Sequence, residues 1–497
     1  MGFFKKHLTS LILLALGITA FIRGIIFLDP DFGWHLRMGG LILQKGIPLT
    51  DPFSYTMSSY PFVDHEWLSN ILISIGYKSI GIYGLALIFA LIFISALFLA
   101  IPKQFKNYST LPLVLAGAAI LGFTGIRTQV ITWFFLALLL KIIFDENLWK
   151  KYKLFIPLIF ILWVDLHGGF AVGIVILFLV FIFKSWQNRK FEFGYFGVVL
   201  LSVVLTFVNP YGPRIWWEIW QQISDGNLKW HIAEWSPGFF DTDVALLALF
   251  ALSFSFLLRY KAKIGKIPVI IYLFLLLMAV SALRQIPLWA LSAVFVVSAA
   301  IRLLMIEVEN NKFALERLKK ATKILTIIIF AVFVLEIVTS ILGVFDLSEQ
   351  RYYPAKAVVY LNRQNFAGGN IFTLYDYGGY LIWKLPNKKV FIDGRMPSWR
   401  RDGIFPNESN YAFKDYLKML GNETYFMQIV KKYNIHYVLL PDPELNNKKL
   451  SPLAVKLENI TEKFVLWRTN TTVINEDLTS FGFKKIYNDG HFVIYKI

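Results

Sequence analysis

Asp29, Asp31, His35, Asp51, Asp64, His65 and Glu66 all fall between residues 29 and 67, in a chain that is otherwise mostly apolar. Ionisable groups beside a membrane are costly unless paired or used, so a stretch this dense in acid and imidazole is expected to be a site. Two clusters carry it: Asp29-Pro30-Asp31 followed by Trp34-His35, and Asp64-His65-Glu66-Trp67. Asp29 and Asp31 stand close enough along the chain for both carboxylates to face one ligand or metal. A general base that activates a hydroxyl must be a carboxylate or imidazole within hydrogen-bond reach, and Asp31, Asp29 or His35 supplies one. The competing role is structural, because Asp is a favoured N-cap and the pattern starts a helix near Phe32. Asp64, His65 and Glu66 offer the oxygen and imidazole donors that suit Mg²⁺ or Mn²⁺. They can equally cap the helix that follows, and adjacent residues on a helix do not share a face, so at most two of them reach one ion.

Arg127, Arg284 and His167 stand at the ends of apolar runs on the same side as this loop, and Arg23 stands near the end of the first run. An arginine there either snorkels to the interface or holds a phosphate through its planar fork. Taken together, the four make a cradle for a lipid phosphate or diphosphate.

The elements that must position these residues are membrane helices. Of the 497 residues, 56% are hydrophobic and only 17% charged, with mean hydropathy +0.56, which places the chain outside the soluble globular class. Apolar runs near 8–28, 79–101, 110–126, 128–144, 154–166, 168–183, 193–208, 244–260, 267–283, 286–304 and 322–344 predict an α-helical polytopic membrane protein of about 11 transmembrane helices. A transmembrane β-barrel would show shorter, alternating segments. The first run, behind Lys5 and Lys6, reads as an uncleaved anchor, since it resumes after Arg23 and lacks a good cleavage site. The net charge of +17 is spread over short connections rather than gathered in one basic region, so it argues against nucleic acid and for positive-inside topology. Lys5/Lys6, Lys103/Lys106, Lys150/Lys151/Lys153, Lys184/Arg189/Lys190, Lys261/Lys263/Lys266 and Lys312/Arg317/Lys319/Lys320 mark the cytoplasmic side. The opposite connections hold the loop 29–67, Arg127, His167, the Trp-rich segment 209–243 and Arg284. That segment carries Trp216, Trp217, Trp220, Trp230 and Trp235 and reads as an amphipathic helix lying in the interface, the level at which a lipid-linked substrate enters. With no cysteine there is no disulfide framework and no thiolate metal site.

From about Phe345 the composition changes. Strand-like stretches at 370–376, 389–394, 435–442 and 491–497 alternate with helical patterns at 354–365, 411–420 and 424–434, which predicts a soluble α/β domain over 345–497 behind a transmembrane domain over 1–344. Counting spans from a cytoplasmic N-terminus places this domain outside the cytoplasm, beside the acidic loop. Asn407, Asn422, Asn459 and Asn470 open matches to the N-glycosylation pattern.

An N-terminal span, an outer loop opening with Asp-Pro and His35, Gly46 and Pro48 further on, and an aromatic-rich start to the next span resemble the GT-C superfamily of polytopic glycosyltransferases. DPDFGWHLRMGGLILQKGIP is similar to the first loop of oligosaccharyltransferase catalytic subunits. DPFSYT, HEWLSN, HGGF, NPYG, EWSP, RQIP, YDYGGYLIWKLP and VFIDGR resemble a group of bacterial and archaeal membrane proteins placed in the same superfamily, alongside protein mannosyltransferases and lipid A aminoarabinose transferases. The resemblance implies a prokaryotic plasma-membrane enzyme that moves a sugar, with inversion, from a polyprenyl-phosphate donor to a glycan, lipid or protein acceptor on the outer face. It matches Asp31 or Asp29 to the first-loop acid at the reaction centre. The rival readings are a transporter or flippase of a lipid-linked saccharide, which predicts ionisable residues at mid-membrane and internal repeats, and a non-catalytic membrane protein whose C-terminal domain binds a partner.

Overall fold

The computed structural model describes residues 2–238, 243–344, 352–364, 368–443 and 477–497. Its first part is helical: α1 (Gly2–Ile26), α2 (Phe32–Lys45), α3 (Trp67–Ala100), α4 (Thr110–Leu121), α5 (Gln129–Ile143), α6 (Glu146–Tyr152), α7 (Ile156–Leu166), α8 (Phe170–Asn188), α9 (Phe193–Leu205), α10 (Arg214–Ser224), α11 (Gly226–His231), α12 (Val244–Ile264), α13 (Lys266–Ser281), α14 (Ile286–Glu307) and α15 (Lys312–Val344). Every apolar run read from the sequence lies on one of these helices. Among the described residues, five helical segments are long and apolar enough to cross a membrane: Leu8–Ile26, Trp67–Ala100, Phe170–Asn188, Val244–Ile264 and Leu283–Glu307. Others are shorter. At about 1.5 Å per residue the 12 residues of α4 rise roughly 18 Å, well short of a hydrocarbon core about 30 Å thick. The chain is therefore a multi-pass membrane protein, with further apolar helices of 10–17 residues beside these five. The span expected to begin near residue 79 begins instead at Trp67, and α3 is broken at Gly81, which takes φ +66°.

α14 is the helix the bundle is built on. Every residue from Ile286 to Ile301 is buried, the signature of a helix apolar all round and surrounded by others. It packs against α4, α12 and α13, while α3 packs against α1, α2 and α5.

The last part of the chain forms a four-stranded sheet with order β1-β2-β4-β3, from β1 (Asn370–Thr373), β2 (Ile435–Pro441), β3 (Lys484–Asn488) and β4 (Phe492–Lys496). β1 and β2 are parallel, and the other pairs are antiparallel. β2 is central and almost wholly buried, so its apolar run IHYVLLP belongs there. The helices Ala355–Arg363, Ala412–Gly421 and Glu423–Lys432 form where the periodicity placed them, the last capped by Asn422, whose Oδ1 accepts from Tyr425 N at 2.8 Å. The helix Tyr375–Lys384, which holds most of the quoted YDYGGYLIWKLP, and strand β3 were not expected from periodicity. The expected strand at 389–394 does not join the sheet. Its backbone turns to the loop between α2 and α3: Val390 N donates to Phe53 O at 2.9 Å, and Tyr55 N donates to Val390 O at 3.1 Å. Residues 345–351, where the composition changes, lie outside the described residues, as do Asn459-Ile460-Thr461 and Asn470-Thr471-Thr472.

The loop between α1 and α3 packs into the C-terminal core. Trp34, Met38, Phe53, Met57, Tyr60 and Phe62 bury into one apolar cluster with the strands and helices of the C-terminal part. Tyr60 stacks on Trp399 with ring centroids 4.7 Å apart. The buried guanidinium of Arg395 joins the two: its Nη1 lies 2.9 Å from Asp51 Oδ1, and its Nε and Nη2 donate to the two oxygens of Asp393 at 2.7 Å. The acidic loop is thus held rigidly between the bundle and the sheet.

Candidate functional site

A cavity of about 490 Å³ lies in this seam, walled by the start of α2, the turn before α3, the connections before α5 and α14, the segment 218–235 and the turn Gly394–Trp399. Asp29, Asp31, His35, Asp64, His65, Glu66, Arg127 and Arg284 all line it. Residues read from four separate stretches of sequence converge on one space.

Asp31 stands at the N-cap position of α2, yet its side chain makes no capping bond. The local turn is held by Asp29 instead, whose Oδ1 accepts from Asp31 N at 2.9 Å. Asp29 also pairs with Arg127, Oδ2 to Nε 2.5 Å, and Arg127 pairs in turn with Glu234. Burial raises Asp29, against the pull of Arg127. Burial, with Asp29 close by, pushes Asp31 up to about 8. No cation pairs with Asp31 within 4 Å among the described residues, so it is the carboxylate of this pair left for the cavity.

Asp64, His65 and Glu66 diverge. Both oxygens of Asp64 are spent on protein, Oδ1 accepting from Glu66 N at 3.0 Å and Oδ2 from Asn70 Nδ2 at 2.8 Å. Asn70 Oδ1 therefore accepts from His35 Nδ1 at 2.5 Å, which puts the His35 proton on Nδ1. Burial lowers His35 to about 3, so the imidazole stays neutral and is a far weaker base than Asp31. Glu66 turns the other way, accepting from Thr128 Oγ1 at 2.8 Å and lying 3.3 Å from His167 Nε2, 3.7 Å from His35 Nδ1 and 3.8 Å from His65 Nε2. Burial, chiefly, pushes it up to about 8. His167 Nδ1 accepts from Gly169 N at 2.9 Å and is 2.7 Å from Thr132 Oγ1, so its proton is on Nε2, which has no lone pair to offer a metal. Among the described residues no three His, Asp or Glu are set around one ion. The Asp64-His65-Glu66 motif gathers no three-ligand group among the described residues, and Asp64 is bonded into the start of α3.

The arginines divide as well. Arg284 lines the cavity over the ring of Trp235, Cζ 4.7 Å from the centroid, with no carboxylate at ion-pair distance among the described residues. Arg127 is taken by two acids. Arg23 does not line the cavity; its Nη2 donates to Gly122 O at 3.1 Å and its guanidinium lies over Phe27. His167 stands behind Glu66. Along α10 one face carries Trp217 and Trp220, 63% and 61% exposed, and the opposite face carries Glu218, 4% exposed and lining the cavity. The amphipathic reading holds, with an acid on the inner face that burial pushes up to about 7.

No model of a known protein family and no curated protein matches this chain. Solved structures do. The oligosaccharyltransferase AglB of the archaeon Archaeoglobus fulgidus, in complex with an inhibitory peptide and a dolichol-phosphate, superposes with TM-score 0.55 at 14% identity over 88% of this chain and 70% of that one. The same protein with Zn and sulfate gives 0.56 at 14% identity over 86% and 68%. ArnT from Cupriavidus metallidurans in the apo state gives 0.51 at 10% identity over 99% and 98%. The chain has the GT-C fold. At these identities the likeness concerns architecture alone.

Glu234 and Arg395 line the cavity, and Asp393 and Asn70 bond to the lining residues Arg395 and His35; the sequence assigned none of the four a role. Glu234 sits in the quoted EWSP and Asp393 and Arg395 in VFIDGR, so the motifs marked the segments without assigning a role to the side chains. Asn70 closes the quoted HEWLSN in the same way.

Proposed function

We propose that this chain is a membrane glycosyltransferase that moves a sugar from a polyprenyl-phosphate donor to an acceptor hydroxyl at the outer membrane face. The observation that carries the reading is the pairing, in one cavity, of a carboxylate free of cations with an arginine free of carboxylates. Asp31 accepts the proton of the acceptor hydroxyl as its oxygen bonds to the anomeric carbon. The bond from that carbon to the donor phosphate breaks with inversion, and the phosphate leaves with the electron pair. Arg284 meets the charge that develops on the leaving phosphate, the larger electrostatic task in such a transfer. Arg127 holds Asp29 and Glu234 and so shapes the site rather than binding phosphate. His35 and Glu66 line the wall behind Asp31. The dolichol-phosphate in AglB supports a lipid-phosphate donor. Incubating the purified protein with a polyprenyl-phosphate sugar and an acceptor saccharide is expected to release polyprenyl phosphate; its absence across several donors would remove the reading.

The same reading places the N-terminus in the cytoplasm and the C-terminal part outside. α3, α5, α8 and α14 all start near the cavity and run toward Lys103, Lys150, Arg189 and Lys312 respectively, so the basic connections gather at the end away from the site. A reporter active only in the cytoplasm, fused after Ile497, is expected to stay silent. A strong signal would invert the topology.

A further inference from the structure

We infer that Gly394, in the Asp393-Gly394-Arg395 turn of the C-terminal part, is a positioning residue that seats the Asp31 carboxylate. This rests on the transferase reading above and adds to it that the sheet domain completes the reaction centre. Gly394 lines the cavity beside Asp31. A methyl group at Gly394 would overlap Asp31 Oδ1, with no room on that side for any side chain. The backbone angle does not demand glycine, for Gly394 is absent from the positive-φ residues. The close approach to Asp31 is what excludes a larger residue. The turn itself cannot yield easily. Arg395 N and Nε donate to Asp393 Oδ1 at 3.1 and 2.7 Å, and Arg395 is tied to Asp51 of the loop between α2 and α3.

The Asp31 side is equally fixed. Asp29 holds the Asp31 amide, and Gly379 of the helix Tyr375–Lys384 lies against the backbone oxygen of Pro30 so closely that a side chain there would overlap it. Two segments from the C-terminal part, 378–379 and 393–395, therefore clamp the turn that carries Asp31. Pre-set geometry of this kind matters because a reacting group misplaced by about 1 Å can lose roughly 100-fold in rate.

The test is a double-substitution cycle read by thermal melting and by transfer. Gly394→Ala is expected to lower Tm by several degrees in the parent protein but to leave Tm unchanged in an Asp31→Ala background, where the overlapping oxygen is gone. In the parent it should lower kcat roughly 100-fold with KM for the polyprenyl-phosphate sugar unchanged, since Arg284 is untouched. Should Gly394→Ala fail to fold while the double variant folds, that difference is itself the predicted coupling, and Asp393→Asn, which loosens the turn, then carries the kinetic measurement with the same expected split. Equal loss of Tm in both backgrounds, or a rise in KM with kcat preserved, overturns the positioning role. Intact coupling in a protein that turns over no lipid-linked sugar overturns the transferase reading and, with it, the catalytic sense of the clamp.

Discussion

Asp31→Asn is expected to reduce sugar transfer by roughly 100-fold or more, the scale on which a positioned general base contributes, while leaving the protein folded. The shape is kept, and no capping bond is lost, because the Asp31 side chain makes none. The pH behaviour separates a catalytic carboxylate from a structural one. In the native state Asp31 is raised from 3.8 to about 8, chiefly by burial and then by Asp29. A base must be ionised, so kcat of the parent should rise with pH and level off above about 8. Stability should move the other way. A group whose native pKa is raised holds its proton more tightly when folded, so its contribution is fully present below about 4 and is lost as pH rises toward about 8. Glu66, also raised to about 8, adds the same trend to both proteins. The difference in Tm between parent and Asp31→Asn, followed from pH 5 to pH 9, isolates Asp31: the variant should gain on the parent as pH rises. Turnover equal to the parent would withdraw Asp31 from the chemistry.

Arg284→Met is expected to lower kcat/KM for a lipid-phosphate donor by roughly 100- to 1000-fold, the loss typical when one preorganised donor to a developing anion is removed. Methionine keeps an unbranched, flexible stem able to lie on Trp235, where the guanidinium sits 4.7 Å from the ring centre. Because no carboxylate is left stranded, Tm should stay near the parent value. Arg127→Met makes the contrast. It leaves the largely buried Asp29 and the part-exposed Glu234 without their cation, which should lower Tm by several degrees. Steady-state kinetics with a water-soluble donor analogue and melting of both variants decide between them. An Arg284→Met protein with parental kcat/KM would show that the phosphate is held elsewhere, and equal destabilisation by both substitutions would show that the two arginines play the same structural part.

The membrane class and the position of every apolar helix were legible in the sequence. Hydropathy over a membrane-length window and the placing of Lys and Arg in connections are local quantities that a bilayer forces on any chain. Strands β1, β2 and β4 were legible for a related reason, since each is a short apolar run bounded by polar residues. The stretch at 389–394 looked the same and was not a sheet strand, because a strand needs a partner and Val390 finds its partner in the loop between α2 and α3. Only the tertiary structure decided what each ionisable residue does. The local pattern Asp-Pro-Asp offers two equivalent acids. They become different only because Arg127 reaches Asp29, while Gly394 leaves space for Asp31. Asp64 and Glu66, adjacent in the chain, part because Asn70 takes one and Thr128 the other. Burial and most of the pairing arise from segments tens to hundreds of residues apart, and they set the charge state of a carboxyl far more strongly than its neighbours in the chain can.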